Sequence, residues 1–192
     1  MAKPRRYEEF TGPIANNYVE TLKCFDKATE LDPKFVNAWF AKGDFYYGYV
    51  NGEDDAIKCF DKAIALDPKF ESAWFGKARV LTRLGKHEEA LKCCDKAIAL
   101  LPADAKDQYA DANGYYFQNR WCQKADALAQ LGKHKEAIKC YDEAIPMLDY
   151  GYEEQEEINL AKADALSELG EFVGDESSMR KCYSSAIRFY TN

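Results

Sequence analysis

Apolar side chains recur along most of this chain at steps of three and four, with charged residues between them. In Ala56, Ile57, Phe60, Ala63 and Ile64 those steps put every apolar group on one stripe of an α-helix. The stripe returns as a phrase. Lys23-Cys24-Phe25-Asp26-Lys27-Ala28 reappears as Lys58-Cys59-Phe60-Asp61-Lys62-Ala63, as Lys92-Cys93-Cys94-Asp95-Lys96-Ala97 and as Lys139-Cys140-Tyr141-Asp142-Glu143-Ala144, with a worn copy at Lys181-Cys182-Tyr183-Ser184-Ser185-Ala186. A second phrase alternates with it: Ala38-Trp39-Phe40-Ala41-Lys42-Gly43, Ala73-Trp74-Phe75-Gly76-Lys77-Ala78, Arg120-Trp121-Cys122-Gln123-Lys124-Ala125 and Asn159-Leu160-Ala161-Lys162-Ala163. Each pair of phrases is one unit that cannot hide its apolar side alone, so neighbouring units must supply the core.

Punctuation between the phrases marks where helices stop. Leu84-Gly85, Leu131-Gly132 and Leu169-Gly170 end the helices of the second phrase, since glycine accepts the left-handed conformation that closes a helix. Pro33, Pro68 and Pro102 end the Cys-bearing helices, having no N–H to continue them. With the repeat period at 34, insertions fall at four places: one residue between Tyr46 and Gly52, thirteen between Cys94 and Ala125, and four on either side of Ala163. Set aside, they leave a length of five frames. The long insertion, at about 103–117, has helical-looking flanks around Asn113-Gly114 and is expected to form a longer helix or a short extra one.

These residues resemble the tetratricopeptide repeat family, a helix–turn–helix unit whose two halves are called helix A and helix B. Trp74, Ala78, Leu81, Gly85, Ala90, Cys94, Ala97 and Pro102 fill the family's signature slots at its spacing, and the resemblance runs from roughly Asn16 to Tyr190. Lysine stands where the family usually has leucine, at Lys42, Lys77, Lys124 and Lys162, and Asn159 occupies a Trp slot. The resemblance implies an all-α, right-handed superhelical solenoid of antiparallel hairpins, about 4.5 to 5 units over 16–192, with residues 1–15 as an N-terminal arm. It also implies that the inner surface is built from helix A. By register that surface comprises Asn37, Phe40, Ala41, Asp44 and Tyr47, then Ser72, Phe75, Gly76, Arg79 and Arg83, then Asn119, Cys122, Gln123 and Asp126, then Glu157, Leu160 and Asp164. Such a trough suits a peptide with apolar anchors, its acidic groups meeting Arg79 and Arg83. The Lys- and Asn-rich clamp by which one variety of the family holds chaperone tails is missing: the matching positions read Phe40, Asp44, Gly76, Asn119 and Gln123.

Composition narrows the remaining chemistry. Acidic side chains outnumber basic ones by 33 to 26, a net charge of −7 that disfavours nucleic acid and anionic membrane as partners. No apolar run is long enough to span a bilayer and none follows the first basic residues as a secretory signal requires, so a cytoplasmic protein is expected. Seven cysteines fit a reducing compartment. Cys24, Cys59, Cys93, Cys140 and Cys182 repeat at one helix-B position, too far apart for disulfides or a metal. His87 and His134 share one turn position and have no nucleophile to serve. Glu53-Asp54-Asp55 and Glu153-Glu154-Gln155-Glu156-Glu157 open helices, where the dipole favours them. No catalytic residue, metal or cofactor is expected. The repeating aspartates Asp26, Asp61, Asp95 and Asp142 suggest a charge ladder with the helix-A lysines. Two functions fit: a protein-interaction scaffold holding a peptide or protein segment in the helix-A groove, or a small-molecule-binding or enzyme-associated subunit with the 103–117 insertion as a lid. The apolar face of the last helix, Met179 to Tyr190, is open to homodimerisation.

Overall fold

The computed structural model describes residues 13–101, 114–144 and 152–168. The expected N-terminal arm up to residue 12, most of the 103–117 insertion, the Glu157 side chain, and the last helix with its expected dimer face lie outside the described residues. Among the described residues the chain is all α-helical. It divides after Lys86 into two compact units. The first holds α1 (Pro13–Leu31), α2 (Val36–Phe45) running on as a π-helical turn (Tyr46–Val50), α3 (Glu53–Leu66) and α4 (Glu71–Arg83). The second holds α5 (His87–Ala99), α6 (Gly114–Gln130), α7 (His134–Ala144) and α8 (Tyr152–Glu168). In each unit consecutive helices pack as hairpins, and the two A helices, α2 with α4 and α6 with α8, also touch.

The helix ends are made by the residues that punctuate the sequence. Gly85 and Gly132 sit at φ +74° and +72°. The N–H groups of Lys86 and Gly85 then reach the carbonyls of Leu81 and Thr82, both at 2.9 Å, and Lys133 and Gly132 do the same to Leu128 and Ala129. After α1 and α3 the turns are twins. The Asp32 and Asp67 carboxylates accept from the N–H of Lys34 and Lys69, and the Pro33 and Pro68 carbonyls accept from the indoles of Trp39 and Trp74 at 3.1 and 3.0 Å.

The insertions are absorbed by helix geometry where they are described. The single extra residue after Tyr46 is taken up by the π-helical turn, whose bonds span one residue more than an α-helix, and Asn51 leaves it at φ 49°. Helices α6 and α8 are each 17 residues long against 13 for α4, so part of the extra length extends helix A.

Small residues set the packing. In the first unit the core gathers Leu22, Tyr46, Val50, Ala56, Cys59, Phe60 and Val80. In the second it gathers Ala125, Leu128, Ala137, Cys140, Tyr141, Ala144 and Ile158. The charge ladder is present across both cores. Lys42 bonds Asp26 at 2.5 Å, Lys77 bonds Asp61 at 2.6 Å, Lys124 lies 2.7 Å from Asp95, and Lys162 bonds Asp142. Every rung joins a helix A to the helix B before it. The lysine stems also lie along the apolar seam, and Lys42 and Lys124 sit over the rings of Trp39 and Trp121.

Candidate functional site

The face that the register assigns to binding is built by α2 and α4 in the first unit. Asn37 and Asp44 are exposed, while Phe40, Tyr47, Ser72, Phe75 and Arg79 are half-buried. Phe40 is committed inward: its ring meets Phe60 at 5.8 Å and stands edge-on to Phe70 at 5.3 Å. The two arginines converge on one aromatic. The guanidinium carbons of Arg79 and Arg83 lie 4.6 and 3.9 Å from the centre of the Tyr47 ring. Arg79 is 3.4 Å from the Asp44 carboxylate, and Arg83 donates to the Tyr47 carbonyl at 3.0 Å while lying 3.1 Å from Glu53. Each arginine therefore already has a carboxylate. The Asp44 contact is the longer and more open of the two.

In the second unit the face is carried by α6 and α8. Asn119, Cys122 and Gln123 are half-buried, and Asp126, Leu160 and Asp164 are exposed. The buried Tyr141 of α7 donates its hydroxyl proton to Asp126 at 2.7 Å. Asp126 is open to water at its surface but ringed by protein. That crowding raises its carboxyl above the usual carboxylate value, with the Tyr141 hydrogen bond pulling the other way. Burial, then the charge of and bond to Asp126, with smaller contributions that include Asp164, push the Tyr141 phenol well above its usual range.

Burial raises the thiols of Cys59 to about 11 and of Cys94 and Cys122 to about 12, so they are poor nucleophiles at neutral pH. His87 and His134 each hold a ring Nδ1 buried without a hydrogen-bond partner, at the first residue of α5 and α7. No group of three or more His, Cys, Asp or Glu placed to hold a metal occurs among the described residues. No described helix is long and apolar enough to cross a membrane.

Two contacts at this face escape the register reading. Glu53 looks like an ordinary helix-opening acid, and only the approach of α4 gives it Arg83. The Tyr141–Asp126 bond had a readable signal. Tyrosine replaces the Phe60 type at a buried helix-B position, and a buried hydroxyl needs an acceptor.

A tetratricopeptide repeat profile matches residues 50–105, and a second tetratricopeptide repeat profile matches residues 119–145. No curated protein matches the chain. Among solved structures the chain is similar to the crystal structure of MamA, with a TM-score of 0.73 at 16% identity over 92% of this chain and 93% of that one. It is also similar to residues 41 to the end of MamA from Desulfovibrio magneticus RS-1, with a TM-score of 0.68 at 13% identity over 90% of this chain and 84% of that one. At such identities the likeness is one of fold.

Proposed function

Because the chain is a tetratricopeptide repeat protein, we propose that it is a non-enzymatic interaction scaffold whose A helices hold a peptide or protein segment. Tetratricopeptide repeats are generally binding modules rather than catalysts. One observation carries the reading: in each unit two A helices lie side by side and leave rows of side chains wholly or partly open to solvent. In the first unit these are Asn37, Asp44, Tyr47, Ser72, Phe75, Arg79 and Arg83, with Phe40 as a half-buried floor. In the second they are Asn119, Gln123 and Asp126.

A rigid face of this kind favours an extended segment, because the helices are ordered before the ligand arrives and only the ligand loses freedom. Tyr47, stacked under two guanidiniums, supplies a flat, preorganised surface. The exposed amides and carboxylates supply direction. Short peptides selected from a random displayed library provide the test. Replacing Asn37 and Arg79 by alanine, or Asn119 and Gln123, is expected to weaken the selected peptides at least about tenfold. Replacing Lys62 and Lys96, exposed on B helices, is expected to leave binding alone. Equal binding to every variant overturns the assignment.

A further inference from the structure

Position for position, the two units differ along the A-helix face, and one difference leaves charge unbalanced. Asp44 and Arg79 occupy equivalent sites on α2 and α4, and they neutralise each other at 3.4 Å. The same sites on α6 and α8 carry Asp126 and Asp164. Both are exposed, and among the described residues neither has a basic partner. The lysines of these two helices, Lys124 and Lys162, are held by Asp95 and Asp142. The other described side chains of the face, Asn119, Cys122, Gln123 and Leu160, add no positive charge. Tyr141 has a single proton to give, and Asp126 takes it.

We propose that the α6–α8 face takes a basic segment of a partner protein, with a lysine or arginine side chain set between Asp126 and Asp164 and an apolar side chain resting on Leu160. This rests on the scaffold reading above and names the chemistry of its ligand. A cation supplies what Arg79 supplies in the first unit, whereas an acidic segment meets two uncompensated carboxylates. Leu160 is 41% exposed, and it precedes Asp164 by four residues. That places the two about 6 Å apart along the helix. Side chains on one side of an extended peptide recur at about 6.7 Å. The favoured ligand therefore carries an apolar side chain and a lysine or arginine two residues apart.

The test selects short random peptides on the full chain and measures synthetic copies by fluorescence anisotropy. Asp126→Asn with Asp164→Asn removes both charges and keeps the acceptor for Tyr141, and circular dichroism checks the fold. The proposal expects selected peptides with an apolar and a basic residue two positions apart, weakened at least about tenfold by the double substitution and by raised salt. It also expects the peptide's Lys→Gln copy to bind wild type and double variant alike. Peptides that weaken with Asn119→Ala and Gln123→Ala but ignore the two aspartates overturn the basic-segment proposal and leave the scaffold standing. Peptides indifferent to every face substitution, or a library with no binder, overturn both.

Discussion

Phe60 shows how closely single residues are matched here. Its ring is fully buried, and a Cβ placed on Gly43 or Gly76 would come within 2.9 or 2.7 Å of it. Where helix B carries the smaller Cys94, its own helix A carries Ala78 instead of glycine. Gly76→Ala gains about 1 kcal/mol of helix propensity but overpacks the ring at about 1–3 kcal/mol, so a net loss near 1 kcal/mol is expected in urea unfolding. The loss should vanish in a Phe60→Leu background; if it persists, ring contact is not its cause. The ladder rungs are local in the same way. Their lysines are mostly covered and their aspartates about half exposed, so each rung is worth only about 0.2–1 kcal/mol. A double-mutant cycle on Lys77 and Asp61 is expected to show coupling in that range, and strict additivity refutes a direct interaction.

At the scale of the element, one extra residue becomes one π-helical turn. A Cβ at Gly48 would meet nothing within 4 Å, so no packing holds that residue in place. Deleting Gly48 restores the 34-residue spacing and brings Asn51 to the place of Gly85. The deletion variant is expected to keep its helix content by circular dichroism, with a cost below about 2 kcal/mol; loss of cooperative unfolding refutes this account of the turn. The tryptophans divide along the same line. Trp74 donates to the Pro68 carbonyl, while the Trp121 indole N–H is buried without an acceptor among the described residues. Trp74→Phe is therefore expected to lose about 1 kcal/mol more than Trp121→Phe in the same unfolding assay. Trp121 follows the insertion rather than a Leu-Asp-Pro turn, which is why the sequence phrase is the same and the bond is not.

For the molecule as a whole, the buried thiols make stability fall in alkali. Cys59, Cys94 and Cys122 keep their protons to about 11 or 12 when folded but ionise near 9 when unfolded. A raised folded pKa stabilises below the unfolded value, and that contribution is lost as pH rises through the folded one. Burial lowers the Lys124 pKa, but the bond to Asp95, the charge of Asp95 and the nearby Cys140 and Cys94 together raise it, so it acts with the same sign. Urea midpoints are expected to hold from pH 7 to about 8.5 and to drop between about pH 9 and 12. Cys94→Ala should flatten that drop; an unchanged slope would assign it elsewhere.

The sequence by itself determined the repeat, the hairpins, the glycine and proline ends, and the ladder. Each of these depends on residues at fixed spacing along one or two helices, so periodicity exposes them. It also determined which side chains share the A-helix face. What covers or neutralises those side chains depends on which helix lies beside which, and spacing alone does not carry that. Tertiary structure turned Phe40 inward onto Phe60 and Phe70, gave Arg79 and Arg83 to Asp44, Tyr47 and Glu53, and gave Asp126 to Tyr141. It left Asp126 and Asp164 without a cation among the described residues, because the neighbouring helix brings a carboxylate where the other unit brings a guanidinium.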